Sequence, residues 1–260
     1  MRAILVVVAV LHVASTGMAQ AEPDEPARQR ATFWLGYMSS VVVRPDIAIW
    51  FDTHYNHEAF FVLRGGLTVG AIGRGATATA GYAYLLLSDG TGALRRMEHR
   101  PWAQVVIPAR DGDWGFSQRI RYDARFREDL PAPGVVGLGY IFTNRLRWQS
   151  VVTRWLPPSS FGRFLLQLAD EVLVSFGPVA GPNFLDQNRL SALVGLRVRA
   201  ITWRVGYMYR FLPGSTGVRP RHEHAVLLWV THTIDLPSVP APGVGDDEEH
   251  PPSVPEAGSP

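Results

Sequence analysis

Arg119-Ile120-Arg121-Tyr122-Asp123-Ala124-Arg125-Phe126-Arg127 sets a charged side chain at every second position. Successive side chains of a strand point to opposite faces. One side therefore carries Arg119, Arg121, Asp123, Arg125 and Arg127, and the other carries Ile120, Tyr122, Ala124 and Phe126. A helix would scatter the same arginines around its whole circumference. Two architectures accept such a strand. A soluble sheet would lay the apolar face on a core and leave the charge in water. A transmembrane barrel would turn the apolar face to lipid and the charge inward. The rest of the chain favours the barrel.

The pattern recurs on both sides of that stretch. Arg64, Gly66, Thr68 and Gly70 alternate with Leu63, Gly65, Leu67 and Val69. In 187–199 a polar face of Gln187, Arg189, Ser191, Gly195, Arg197 and Arg199, with Leu193 as its exception, opposes Leu190, Ala192, Val194, Leu196 and Val198. Arg204, Gly206, Met208 and Arg210 oppose Ile201, Trp203, Val205, Tyr207, Tyr209 and Phe211. A dyad repeat with apolar groups on one face and polar groups with glycine on the other is how strands of a lipid-embedded barrel are written.

Alternation with aromatic and β-branched residues predicts strands over 46–54, 59–72, 75–88, 97–108, 113–128, 139–156, 162–176, 185–198, 200–212 and 221–234. Most are longer than strands of soluble sheets and suit a tilted bilayer crossing. A further segment, 33–43, is separated from the next only by Arg44-Pro45. Longer connections near 89–96, 129–138, 177–184 and 213–220 alternate with short ones near 73–75, 109–112, 157–161 and 198–200. Long loops outside and short turns on the periplasmic side are the rule for such barrels. Counted separately, 33–43 makes eleven strands and puts the N-terminus on the wrong side. Merged with 46–54 through a kink at Pro45, it gives about ten; twelve would need one strand more. The expected fold is an all-β, antiparallel up-and-down transmembrane barrel over 33–235. Trp34, Trp50, Phe51, Trp102, Trp114, Trp155, Phe176 and Phe211 lie near strand ends, as an interfacial girdle would.

The ends of the chain agree. Arg2, an apolar run over 3–13 interrupted only by His12, and Ala19-Gln20-Ala21 read as a secretory signal over 1–21. A lead over 22–32 follows, and residues 236–260 form a Pro-rich acidic tail, expected to be disordered. After the signal no apolar run is long enough for a membrane helix. Cysteine is absent, which excludes disulfides and thiolate metal sites, and every one of the 25 basic residues is arginine. The tail holds Asp246, Asp247, Glu248, Glu249 and Glu256 without an arginine, and the body 31–235 carries +7 of the formal net charge. The arginines follow a strand period rather than forming a patch, and the chain is exported, so nucleic acid is not an expected partner.

Glu98-His99-Arg100-Pro101-Trp102-Ala103-Gln104 resembles the Glu-His-Arg-x-Trp-x-Gln signature of DUF2490, a family of uncharacterised bacterial outer-membrane β-barrel proteins. Later elements follow in the family's order. Residues 118–126 resemble its arginine-rich strand, with Asp123 where glutamate is common. Asn144-Arg145-Leu146-Arg147-Trp148 and Asp170-Glu171 come next. Phe184-Leu185-Asp186-Gln187-Asn188-Arg189 is similar to its Phe-Asp-Gln-Asn-Arg segment with one extra residue, and Gly206-Tyr207-Met208 follows. The resemblance implies an outer-membrane barrel with membrane lipid and the barrel insertion machinery as partners. It implies no particular activity. The tail after Asp235 departs from barrels that end on an aromatic residue.

The family-like polar residues share inward faces: Glu98, Arg100, Gln104, Arg119, Arg121, Arg125, Arg147, Glu171, Gln187 and Arg189. Three readings stand. These residues brace a small lumen as carboxylates held by guanidinium forks. They line a narrow water-filled passage that takes a small anionic solute. Or they serve a lipid-modifying enzyme; a soluble exported barrel that binds a ligand is the remaining alternative. Catalysis lacks a marked nucleophile and base, so no enzyme, cofactor or metal is expected. His222 and His224 share a face with Glu223 turned away, without a third ligand. Asp52 and His54 share a face and read as a polar strand end.

Overall fold

The computed structural model describes residues 29–236, apart from 73–74, 90–92, 133–134, 136, 178–183 and 215–218. The signal, most of the lead and the tail after Leu236 lie outside the described residues. Eleven strands form a closed barrel. They are β1 (Gln29–Arg44), β2 (Ile47–Asn56), β3 (Phe60–Gly70), β4 (Thr77–Ser88), β5 (Leu94–Asp111), β6 (Trp114–Glu128), β7 (Tyr140–Ser159), β8 (Gly162–Phe176), β9 (Leu185–Val198), β10 (Ile201–Leu212) and β11 (Arg221–Asp235). Ten of them match the predicted segments closely.

The merger of 33–43 with 46–54 is corrected. Pro45 and Asp46 form a turn, and β1 and β2 are separate antiparallel strands. Proline presets the backbone for a turn and has no N–H to give to a ladder, so a two-residue hairpin accommodates it better than a kink does. The count is therefore odd, and the purely antiparallel expectation fails at one seam. β1 and β11 run parallel, in register from Gln29 opposite His222 to Val42 opposite Asp235. Every other neighbouring pair is antiparallel.

Burial alternates along each strand, with charge on the buried face. Ile49, Leu67, Ile107, Ile120, Leu168, Val205 and Val226 point outward and are at least half exposed, whereas Asp52, Glu98, Arg121 and Asp123 are no more than 2% exposed. A water-soluble barrel has the opposite distribution, because apolar area leaves water and charge stays in it.

The interior is filled by two kinds of side chain. Trp34, Met38, Trp50, Val62, Leu85, Trp102, Leu193, Met208, Leu227 and Trp229 pack into one apolar cluster from β1–β5 and β9–β11. Trp34, Trp50, Trp102 and Trp155 are thus buried and are not girdle residues, which corrects that expectation. Trp34 shares its face with Gly36 and Met38, and Trp102 shares its face with Arg100 and Gln104, so parity sends them inward. Trp114, Phe51 and Phe176 do lie outside. Glycine lets the wall bend around this filling. A Cβ on Gly81 would collide with the backbone of Gly65 and Gly66 on β3, a contact that only glycine permits.

Candidate functional site

The polar half of the interior is built on β5 to β9. Glu98 on β5 accepts from three arginines. Arg100 on the same face and Arg125 on β6 reach Oε1 through their Nε at 2.9 and 2.8 Å, and Arg127 reaches Oε2 at 2.8 Å. Arg125 adds a second bond through its Nη2 to Oε2 at 3.0 Å, a fork gripping both oxygens. The β5–β6 ladder lapses at Arg100 and Pro101, because proline brings no N–H.

Arg121 and Arg147 stand directly opposite on β6 and β7, an arrangement that like charge opposes. Asp123 resolves it. Its Oδ1 accepts from Arg121 Nε at 3.0 Å and its Oδ2 from Arg147 Nε at 2.7 Å. Glu171 on β8 plays the same part for Arg119 Nη2 and Arg189 Nη1, each at 2.8 Å. The Gln187 carbonyl accepts from Arg189 Nε at 3.1 Å and from Arg210 Nε. Gln104 faces inward opposite Arg121. Each of the ten residues singled out from the sequence therefore lies on the inner face. Nine are buried, and the Arg189 side chain is 14% exposed.

The ten residues singled out from the sequence leave out several members of the network. Arg145 pairs with Asp186 at 2.5 Å, Arg210 with Glu223 at 2.8 Å, and Arg64 with Asp52 at 2.7 Å. Asp52 also accepts from Trp50 Nε1 at 2.7 Å, and His54 lies 3.6 Å from it. Asp52 and His54 are fully buried inside the barrel, so the expectation of a polar strand end is corrected. The signal was available, since both share parity with Trp50 and Ala48. Asp186 had a subtler one. The segment 184–189 carries one residue more than the family pattern. The β8–β9 register slips there, with Leu173 opposite Gln187 but Val174 opposite Leu185. This bulge turns Asp186 toward Arg145.

His222 and His224 do share the outer face, where Tyr209 bonds His222 at 2.6 Å and Tyr207 bonds His224, while Glu223 points inward. Among the described residues no three His, Asp or Glu side chains gather as metal ligands would.

Among the described residues, ten arginines (64, 100, 119, 121, 125, 127, 145, 147, 189 and 210) thus share six carboxylates. Chemically, the arrangement is a cross-strand brace with a positive surplus.

A search of the curated proteins found no match. Among solved structures, one described as the NanC porin in a rhombohedral crystal form is similar at a TM-score of 0.47 and 14% identity, over 77% of this chain and 98% of that one. The family model described as a protein of unknown function, DUF2490, matches residues 31–221. The chain belongs to the DUF2490 family.

Proposed function

We propose that this protein is an integral outer-membrane β-barrel whose interior is sealed by its own side chains, a structural barrel without enzymatic activity. The observation that carries the sealing is the burial of the waist. Arg121, Asp123, Glu98, Leu173 and Leu227 come from β5, β6, β8 and β11, and each is at most 2% exposed. A water-filled pore would leave such residues wet. Membrane insertion is supported by the apolar outer face and by aromatic groups at both rims. Tyr140 and His99 lie outside toward the longer loops, and Trp114, Phe161 and Trp203 toward the short turns. Residues 1–21 are the export signal in this reading.

A second reading, a narrow anion-preferring passage, draws on the arginine surplus. Conductance of the refolded mature chain in a planar bilayer separates the two, with a heat-shifted gel band as the mark of folding. Silence from a folded barrel is the expected result. Small anion-selective steps would support the second reading, and large unselective steps would sink both. In the passage reading, replacing Arg121 and Arg125 with alanine shifts ion selectivity. In the sealed barrel it lowers heat resistance instead.

A further inference from the structure

Among the described residues the interior network contains more arginine than its carboxylates neutralise, with ten guanidinium groups on six carboxylates. Glu98 alone serves three of them. Uncompensated charge in a dry interior is among the costliest features a fold can hold.

A second observation is independent of charge. Among the described residues, the buried donors that meet no hydrogen-bond acceptor include Nε1 of Trp34, Trp102 and Trp229, Nη2 of Arg121 and Nε of Arg119. Buried donors are nearly always satisfied, so a group of unsatisfied ones in a single region calls for an acceptor from elsewhere.

The three tryptophans and Arg121 lie in one region of the interior. The Arg121 guanidinium lies over the Trp102 ring, 4.2 Å from its centroid, and Arg189 lies over Trp34 at 5.1 Å. Trp34 meets the ring of His54 edge-on at 6.0 Å. His54 and Trp229 both press against Gly36, where an added Cβ would sit 2.5 Å from His54 Nδ1 and 2.8 Å from Trp229 Cδ1. The three indoles belong to one apolar cluster, and Arg121 borders it. Arg121 spends its Nε on Asp123, and its buried Nη2 meets no acceptor among the described residues.

We propose that this junction binds a small oxyanion, the carboxylate or phosphate group of a compact solute. Arg121 supplies the charge, and the indole N–H groups of Trp102, Trp34 and Trp229 supply directed donors. Water could accept these hydrogen bonds but brings no charge. An oxyanion answers both the unsatisfied donors and the surplus. The apolar wall keeps competing water out, which strengthens each charge-assisted bond. The inference rests on the sealed-barrel reading for its dry surroundings.

The test uses the refolded full-length mature chain in detergent micelles, titrated with acetate or inorganic phosphate against chloride at constant ionic strength. Tryptophan emission and the temperature of the gel shift are read together. A saturable emission change with a rise in that temperature is expected for acetate, for phosphate or for both, and the stronger response identifies the oxyanion. Arg121→Gln should weaken it by about tenfold or more. Trp102→Phe keeps the ring, deletes the N–H and should weaken it by about threefold to tenfold; it carries the test if Arg121→Gln fails to fold. Arg127→Gln, whose partner Glu98 keeps two other arginines, should leave the response intact. No saturable change in a heat-shifting barrel would overturn the site and leave the barrel reading untouched. An undiminished response in both Arg121→Gln and Trp102→Phe would overturn it as well. Loss of the gel shift itself in the unaltered chain would instead count against the barrel reading.

Discussion

Glu98 shows what a single inward carboxylate does in this wall. It is fully buried and compensates Arg100 and Arg125, both buried, and Arg127, whose side chain is 32% exposed. Removing one partner of a buried pair leaves charge stranded, at a cost of about 3–5 kcal/mol, whereas an ion pair open to water is worth under about 1 kcal/mol. Glu98→Gln is therefore expected to destabilise the barrel by about 3 kcal/mol or more, since three guanidinium groups lose their anion together. Arg127→Gln should cost about 1 kcal/mol or less, because Arg100 and Arg125 still hold Glu98. Urea titration in lipid, followed by the gel shift, compares the two. Equal losses would mean that the interior is well hydrated and that the pairs are not braces. Asp123→Asn tests the same logic at a second carboxylate. It would leave Arg121 and Arg147 facing each other across β6 and β7 with no anion between them.

At the scale of the strand, β6 carries the clearest prediction. Ile120 lies at its middle, outward and 53% exposed, next to two of the most deeply buried arginines of the molecule. If that face meets hydrocarbon, Ile120→Arg should cost about 2–4 kcal/mol in a bilayer. On a water-facing wall the same change would be close to neutral. A lipid-facing wall would thus tolerate arginine at 119 and 121 and reject it at 120, and urea titration in liposomes reads the difference. This period-2 contrast is also why so much of the architecture was legible in the sequence. Ten strand positions, the inward arginines and the glutamates follow from parity alone. What parity misjudged has specific causes. Closeness to a strand end suggests a girdle for the tryptophans, whereas the inward parity of Trp34, Trp50 and Trp102 sends them into the lumen. Asp52 and His54 stand near the end of β2, where a polar pair is ordinarily solvated, yet their parity with Trp50 turns them inward. Asp186 depends on a bulge, which breaks the alternation on which the reading relied. Which arginine meets which carboxylate depends on cross-strand register and stagger, and neither is written in a single strand.

For the whole molecule the decisive feature is closure with an odd number of strands. Single-chain bacterial barrels ordinarily have an even number, which returns both termini to one side. Here β1 meets β11 in parallel through an uninterrupted register, so no strand edge is left open. The consequence is that Gln29 starts at the end of the barrel that carries the longer loops, and Asp235 finishes at the end of the short turns. Turn Pro45-Asp46 then belongs to the short-turn end. In a ten-strand barrel that merged β1 and β2, Asp46 would sit halfway up the wall instead. The absence of cysteine makes the distinction measurable with single substitutions. With long loops outside, Leu138→Cys in the β6–β7 connection should react with a membrane-impermeant maleimide on intact cells. Phe161→Cys, in the β7–β8 turn, should react only after the outer membrane is opened. Asp46→Cys is expected to follow Phe161→Cys, since the Asp46 side chain is 59% exposed at the same rim. Protection of Asp46→Cys in both conditions, with the two reference sites behaving as stated, would place it within the membrane and restore the even-stranded barrel.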